Sequence, residues 1–337
     1  MKRSRLVGLA LMAVFSVAIL PAWSADKDKK EDVAQIGDRR VAHRSIISEE
    51  KEIAMGKQYA TEIDRSAKII TDPVINEYVN RVAQNIARNS DLKIPLTVKV
   101  IDSPGLNAFA LPGGFLYVNS GLLIAANEES QVAGVIAHEV AHVAARHWAS
   151  QQTKATILQY ALLPLMFTPM TYGVYYGIME AYMNGVPLVF LKFSRNDEAE
   201  ADFLGPQYLY KAGYDPNSYL TIFSKVIEEE RRSPGSVPKI FMDHPPTPDR
   251  IVSLDREMKE ILPTKSQYLV STSEFDDVQA RLNAVIKNRK KGKDKNAPTL
   301  RKREEIETTS TTPSAQQDKE DKSDSDDTPP VLRRRDN

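Results

Sequence analysis

Two histidines four residues apart with a glutamate between them, His138-Glu139-Val140-Ala141-His142, are the residues of this chain best suited to chemistry. On a helix, positions i and i+4 share a face with Cβ atoms roughly 5–6 Å apart. Two imidazoles at that spacing can grip one zinc ion at about 2.0–2.1 Å. Glu139 borders the same face, where a carboxylate can take a proton from a water activated by the metal. This is the chemistry of metal-dependent peptide hydrolysis. The same five residues also arise as two surface histidines beside an acid, so the rest of the chain must supply the remainder of a site.

The surrounding segment reads as helix. Asn127 is placed to cap its start, with Glu128 and Glu129 in the first turn. Val132, Val135, Ile136, Val140 and Val143 form an apolar stripe at helical spacing. Alanines at 133, 137, 141, 144 and 145 keep the helix thin enough for close neighbours. Burying two imidazoles and a carboxylate requires partners for all three, and one metal ion would satisfy them together.

A zinc site needs a third protein ligand. In one peptidase class it follows as Gly-x-x-His, but here those positions hold Ala145 and Trp148. His147 falls about 180° from His138 on a continuous helix of 3.6 residues per turn, which makes it a surface or packing residue. The other solution is a carboxylate from a second helix, and the stretch 194–202, Ser-Arg-Asn-Asp-Glu-Ala-Glu-Ala-Asp, supplies one. Glu198 and Asp202 share a helical face. Glu198 can ligate, and Asp202 can accept a hydrogen bond from the far ring nitrogen of a ligating histidine, fixing its tautomer. Glu200 lies nearly opposite, as a solvated or ion-paired residue.

These motifs resemble the gluzincin peptidases related to the CAAX prenyl protease, HtpX and BepA. Two further segments carry the resemblance: Asn107-Ala108-Phe109-Ala110-Leu111-Pro112-Gly113-Gly114 and His244-Pro245-Pro246-Thr247-Pro248-Asp249-Arg250. It covers about residues 45–285. It implies one zinc on His138, His142 and Glu198, with Glu139 as general base. It implies that His244 stabilises the tetrahedral oxyanion or closes over the metal in a resting state. It also implies that Asn107, Ala108, Phe109 and Ala110 border the substrate cleft, where a strand edge can pair with an extended polypeptide. The chain lacks the multiple transmembrane helices of the prenyl protease and HtpX and the tetratricopeptide-like repeats of BepA. It is thus similar to exported members with a peptidase domain alone.

The elements that must position these residues follow from periodicity. Helices are expected over residues 48–66 and from Asp72-Pro73 to about 89. Residues 95–101 read as a strand, and Pro112-Gly113-Gly114 as the turn of a hairpin. A helix should follow Asp249-Arg250 to about 261, then a short strand at 268–270, and a helix capped at Ser273 and running to about 288. Residues 155–179 hold no charged side chain, but prolines and glycines interrupt them. They suit a packed helical hairpin, with peripheral membrane contact as the alternative. The expected fold is α+β, mostly helical: a zincin-like metallopeptidase domain, residues 45–287, with a small sheet bordering the cleft.

The N-terminus is basic, then apolar over residues 6–20, with small residues at Ala22 and Ser24. Residues 1–24 read as a secretory signal peptide, since 15 apolar residues are short for a ~30 Å hydrocarbon core. Residues 25–44 read as a flexible polar segment, and 288–337 as a disordered charged tail. The chain has no cysteine, so metal chemistry rests on five histidines and the carboxylates. Its net charge is 0, and no basic excess points to nucleic acid. The expected protein is a periplasmic zinc endopeptidase acting on misfolded or unassembled envelope proteins. An assembly factor for outer-membrane proteins with minor proteolysis, or an aminopeptidase, are the alternatives.

Overall fold

Side-chain caps set where the first helices begin. The computed structural model describes residues 31–162, 193–232 and 248–295. Expectations for residues 1–24, for 163–179 and for His244 lie outside these residues. Helix α1 (Glu49–Ser66) starts where Ser48 accepts from the Lys51 N–H. Helix α2 (Pro73–Arg88) starts where Asp72 accepts from Val74 and Ile75, with proline in the first turn as expected.

Three strands follow: β1 (Thr97–Ile101), β2 (Ala108–Leu111) and β3 (Phe115–Asn119), in the order β1-β3-β2. β3 runs parallel to β1 and forms an antiparallel hairpin with β2 that closes at Leu111 opposite Phe115. Gly113 and Gly114 take φ of 75° and 85° in the turn, a region costly for side-chain-bearing residues. β2 is therefore an edge strand. A short helix, α3 (Ser120–Ala125), leads from β3 toward the histidine helix.

That helix, α4 (Glu129–Ala144), is buried along its whole length. It is enclosed by α2, β2 and two later helices, α6 (Arg195–Lys211) and α7 (Asn217–Arg232). All-round enclosure explains why it is apolar on several faces. The N-cap is Glu128, one residue later than expected. Asn127 instead uses its backbone N–H on the Gln131 side chain. Glu129 lies inside the protein, accepting hydrogen bonds from Tyr78, Tyr214 and Thr272.

The continuous-helix premise fails at the other end. α4 stops at Ala144, Arg146 takes a left-handed φ of 55°, and a new helix, α5 (His147–Leu162), begins. His147 is consequently turned inward and has no solvent exposure, so it is not a surface residue. α6 opens with a reciprocal capping box between Ser194 and Asp197. It packs on α4 so closely that a Cβ at Gly205 would lie 3.3 Å from the His138 backbone nitrogen.

Helices α8 (Pro248–Ile261) and α9 (Ser273–Lys295) complete the described chain. α9 extends past 288, so the expected tail is corrected for residues 288–295, which are helical; its remainder, 296–337, lies outside the described residues. Thr272 rather than Ser273 caps it, accepting from Phe275 N–H. The expected strand at 268–270 is a single bridge between Leu269 and Tyr214. The expected flexible segment is corrected for residues 31–44. Val33, Ile36 and Val41 join the core, and Arg39 forms a buried ion pair with Asp91 at 2.7 Å. The chain divides into two compact units, residues 1–292 and 293–337; the core described above belongs to the first. Among the described residues no helix is long and apolar enough to cross a membrane.

Candidate active site

His138 and His142 stand one turn apart on α4, with their Nε2 atoms 3.1 Å apart. Glu198, in the first turn of α6, brings Oε2 to 3.7 Å from His138 Nε2 and Oε1 to 3.5 Å from His142 Nε2. Ligands bonded tetrahedrally at about 2.0–2.1 Å would be about 3.3–3.4 Å from one another. The three donors are buried and already spaced on that scale.

The groups behind them decide where the protons are. His138 Nδ1 is 2.6 Å from the Tyr219 hydroxyl, which donates to Asp202 Oδ1 at 3.0 Å. Burial alone would raise the Asp202 carboxyl, but hydrogen bonds from His138 and Arg250, and the Arg250 charge, hold it well below the usual carboxylate range. Burial, together with that anion, pushes the Tyr219 hydroxyl far above its usual range, so it stays protonated. Asp202 is thus an acceptor, the one hydroxyl proton of Tyr219 goes to it, and the tautomer of His138 that fits the Tyr219 oxygen is the one that donates from Nδ1. In that tautomer a neutral His138 turns its Nε2 lone pair toward Glu198 and His142. Convergence of such donors is unfavourable without a cation between them, and a two-nitrogen, one-oxygen set suits zinc. Arg250, from α8, clamps the carboxylates from behind. Its Nε and Nη2 reach Asp202 at 2.7 and 2.8 Å, and Nη2 reaches Glu198 Oε2 at 3.2 Å.

Residues 73–258, more than half of the 337, match Peptidase family M48. The chain belongs to this peptidase family. It is similar to the beta-barrel assembly-enhancing protease of Escherichia coli, 27% identical over 83% of this chain and 56% of that protein. A Vibrio cholerae protein named for the same activity is 31% identical over 70% and 50% of the two chains. The mitochondrial metalloendopeptidase OMA1 of Arabidopsis thaliana is 35% identical over 52% and 36%. The chain spans about half the length of the curated relatives it matches. Membership in M48 implies a metal, and the donor set above is where this M48 domain could hold it.

The remaining residues singled out in the sequence fall around this M48 centre. Glu139 is buried on α4, and its Oε2 accepts from the Ala110 N–H of β2 at 3.0 Å. The edge strand therefore lies directly against the glutamate. Phe109 stacks on Tyr117 at 5.2 Å, and Ala108 is buried opposite Val118. Asn107 is buried, and its Nδ2 finds no hydrogen-bond partner among the described residues. Phe193 stacks on the His142 ring at 4.0 Å. Asp202 reaches His138 mainly through Tyr219, its own oxygen standing 3.5 Å from Nδ1. Glu200 is buried and hydrogen-bonded to His43 rather than solvated.

Sequence reasoning missed Tyr219 altogether. It lies 81 residues beyond His138, and no motif marks it. Arg250 stood at the end of the His-Pro segment and carried a signal, since an arginine can neutralise two carboxylates one helical turn apart.

Proposed function

We propose that this M48 protein is a zinc endopeptidase of the bacterial cell envelope, holding one zinc on His138, His142 and Glu198. The observation that carries the reading is the convergence of these three donors beside Glu139 in a buried site. Zinc, when bound, lowers the pKa of a coordinated water toward ~7 and polarises the scissile carbonyl. Glu139 takes the proton from the attacking water and passes it to the leaving amine, a role worth about 10²–10⁴ in rate. The Ala110 N–H keeps the carboxylate oriented for this. The edge of β2 away from β3, from Asn107 to Ala110, aligns an extended polypeptide by main-chain pairing through groups other than the Ala110 N–H. His244 donates to the oxyanion or gates the metal at rest.

The apolar N-terminal stretch supports export to the periplasm, and the names of the relatives support unassembled envelope proteins as substrates. Exposed Ile157, Leu158 and Tyr160 on α5 support peripheral contact with lipid. Loss of vesicle flotation in an Ile157→Asp, Leu158→Asp variant checks that contact; unchanged flotation refutes it. The test of the main reading is Glu139→Gln. The variant should retain zinc and lose hydrolysis of an unfolded polypeptide by at least about 10²-fold. Retained turnover removes Glu139 as the general base. The relatives' names also favour a second reading, an assembly factor with minor proteolysis. Full rescue of envelope assembly by Glu139→Gln would favour that reading.

A further inference from the structure

The M48 match begins at residue 73, yet the chain before it reaches the metal centre. Residues 36–46 form a strap fastened at three points. Arg39 is buried against Asp91 and donates to Gln207 Oε1 at 2.6 Å. The His43 N–H donates to the Ala145 carbonyl, where α4 ends, at 2.9 Å. Ser45 Oγ donates to the Ala149 carbonyl on α5 at 3.1 Å. Between these fastenings the His43 ring brings Nε2 to 2.6 Å from Glu200 Oε2.

The same oxygen lies 3.3 Å from His147 Nε2, and His147 Nδ1 lies 2.8 Å from His142 Nδ1. Each proton in this row has one place. For His142 to offer Nε2 to a metal, its proton must be on Nδ1, which then donates to His147 Nδ1. His147 must carry its own proton on Nε2 and donate to Glu200. The carboxylate, an acceptor only, takes a second proton from His43. The arrangement parallels the row His138, Tyr219, Asp202: each ligating ring is backed by an intermediary that ends on a carboxylate.

The turn that presents His147 is itself held from upstream. Arg146, with its left-handed φ, is tied to Glu52 Oε2 and to the Ile47 carbonyl, each at 2.8 Å. A left-handed backbone is unfavourable for a residue with a side chain and persists where the surroundings hold it.

We propose that His43, Glu200 and His147 form a positioning chain that fixes the tautomer and ring orientation of His142, so that the N-terminal strap is a working part of the metal site. This rests on the zinc reading above. The same three side chains could instead bind a second cation, since their ligand atoms lie within 4.8 Å of one another. The 2.6 Å contact between His43 and Glu200 argues against that, because it has hydrogen-bond length and falls short of the ~3.3–3.4 Å between donors sharing a tetrahedral zinc.

The test measures zinc dissociation constants of the full chain by chelator competition. His147→Leu should weaken zinc by about 10–100-fold. His43→Ala should weaken it by a smaller factor, and should add nothing to His147→Leu, because both act through one chain. His147→Gln, whose amide can accept from His142 and donate to Glu200, should recover most of the loss. Metal-free melting temperatures separate this from misfolding; if His147→Leu does not fold, the His147→Gln and His43→Ala constants carry the test. Wild type binding one zinc, with constants unmoved in the variants, overturns this inference alone. Strictly additive losses overturn it as well. Two zincs in wild type, falling to one in His43→Ala, overturn it in favour of a second ion. Wild type that binds no zinc overturns the zinc reading and this inference with it.

Discussion

Replacing Tyr219 with phenylalanine removes a single oxygen and leaves everything else in place. The ring continues to stack on Phe223 at 4.6 Å, so packing is preserved. What disappears is the hydroxyl bridging His138 Nδ1 at 2.6 Å and Asp202 Oδ1 at 3.0 Å. Asp202 keeps its two contacts from Arg250 and stays satisfied. The Asp202 oxygen nearest to His138 Nδ1 then stands 3.5 Å away and must move by roughly half an ångström to accept a hydrogen bond of ordinary length. The metal-free protein should lose about 1.5–3 kcal/mol, the net worth of a buried hydrogen bond to a charged group. Zinc affinity should fall about 10–100-fold, because the ring of a ligand is no longer fixed. That factor corresponds to about 1.4–2.7 kcal/mol, and the extra stability conferred by saturating zinc should shrink by the same amount. Chelator competition gives the affinity, and denaturant unfolding with and without zinc gives the two stabilities. An unchanged zinc constant would refute the claim that Tyr219 orients His138.

Glu198→Ala should fail to retain zinc through gel filtration while remaining folded, since Arg250 still binds Asp202; full occupancy would reassign the third ligand. Gly205→Ala would set a Cβ 3.1 Å from the Tyr219 ring and 3.3 Å from the His138 backbone nitrogen, and should cost about 1–3 kcal/mol by thermal unfolding. Asp72→Ala should cost about 1 kcal/mol at neutral pH through the lost cap of α2. The hydrogen bond from Arg281 holds the Asp72 carboxyl below its ordinary value, so its stabilisation is present above that value and lost as pH falls through the depressed one. The deficit of the variant, measured by denaturant unfolding, should therefore vanish in strong acid.

The sequence by itself determined what short-range physics governs. Ser48 and Asp72 mark helix starts because their side chains can reach backbone N–H groups two or three residues on. The hairpin around Gly113 and Gly114 follows from the positive φ its turn demands. The two histidines face one way because a helix returns every 3.6 residues. Tertiary structure decided the rest. His147 faces inward because the left-handed Arg146, fastened by Glu52 and Ile47, ends α4 early; no periodicity registers such a break. Residues 31–44 look polar and loose in one dimension, yet Arg39 and His43 are charged or polar groups whose partners, Asp91, Gln207 and Glu200, lie 52 to 168 residues away. Tyr219 reads as one aromatic among many until α7 packs against α4. A hydroxyl's role depends on which groups share its burial, and distance along the chain carries no information about that.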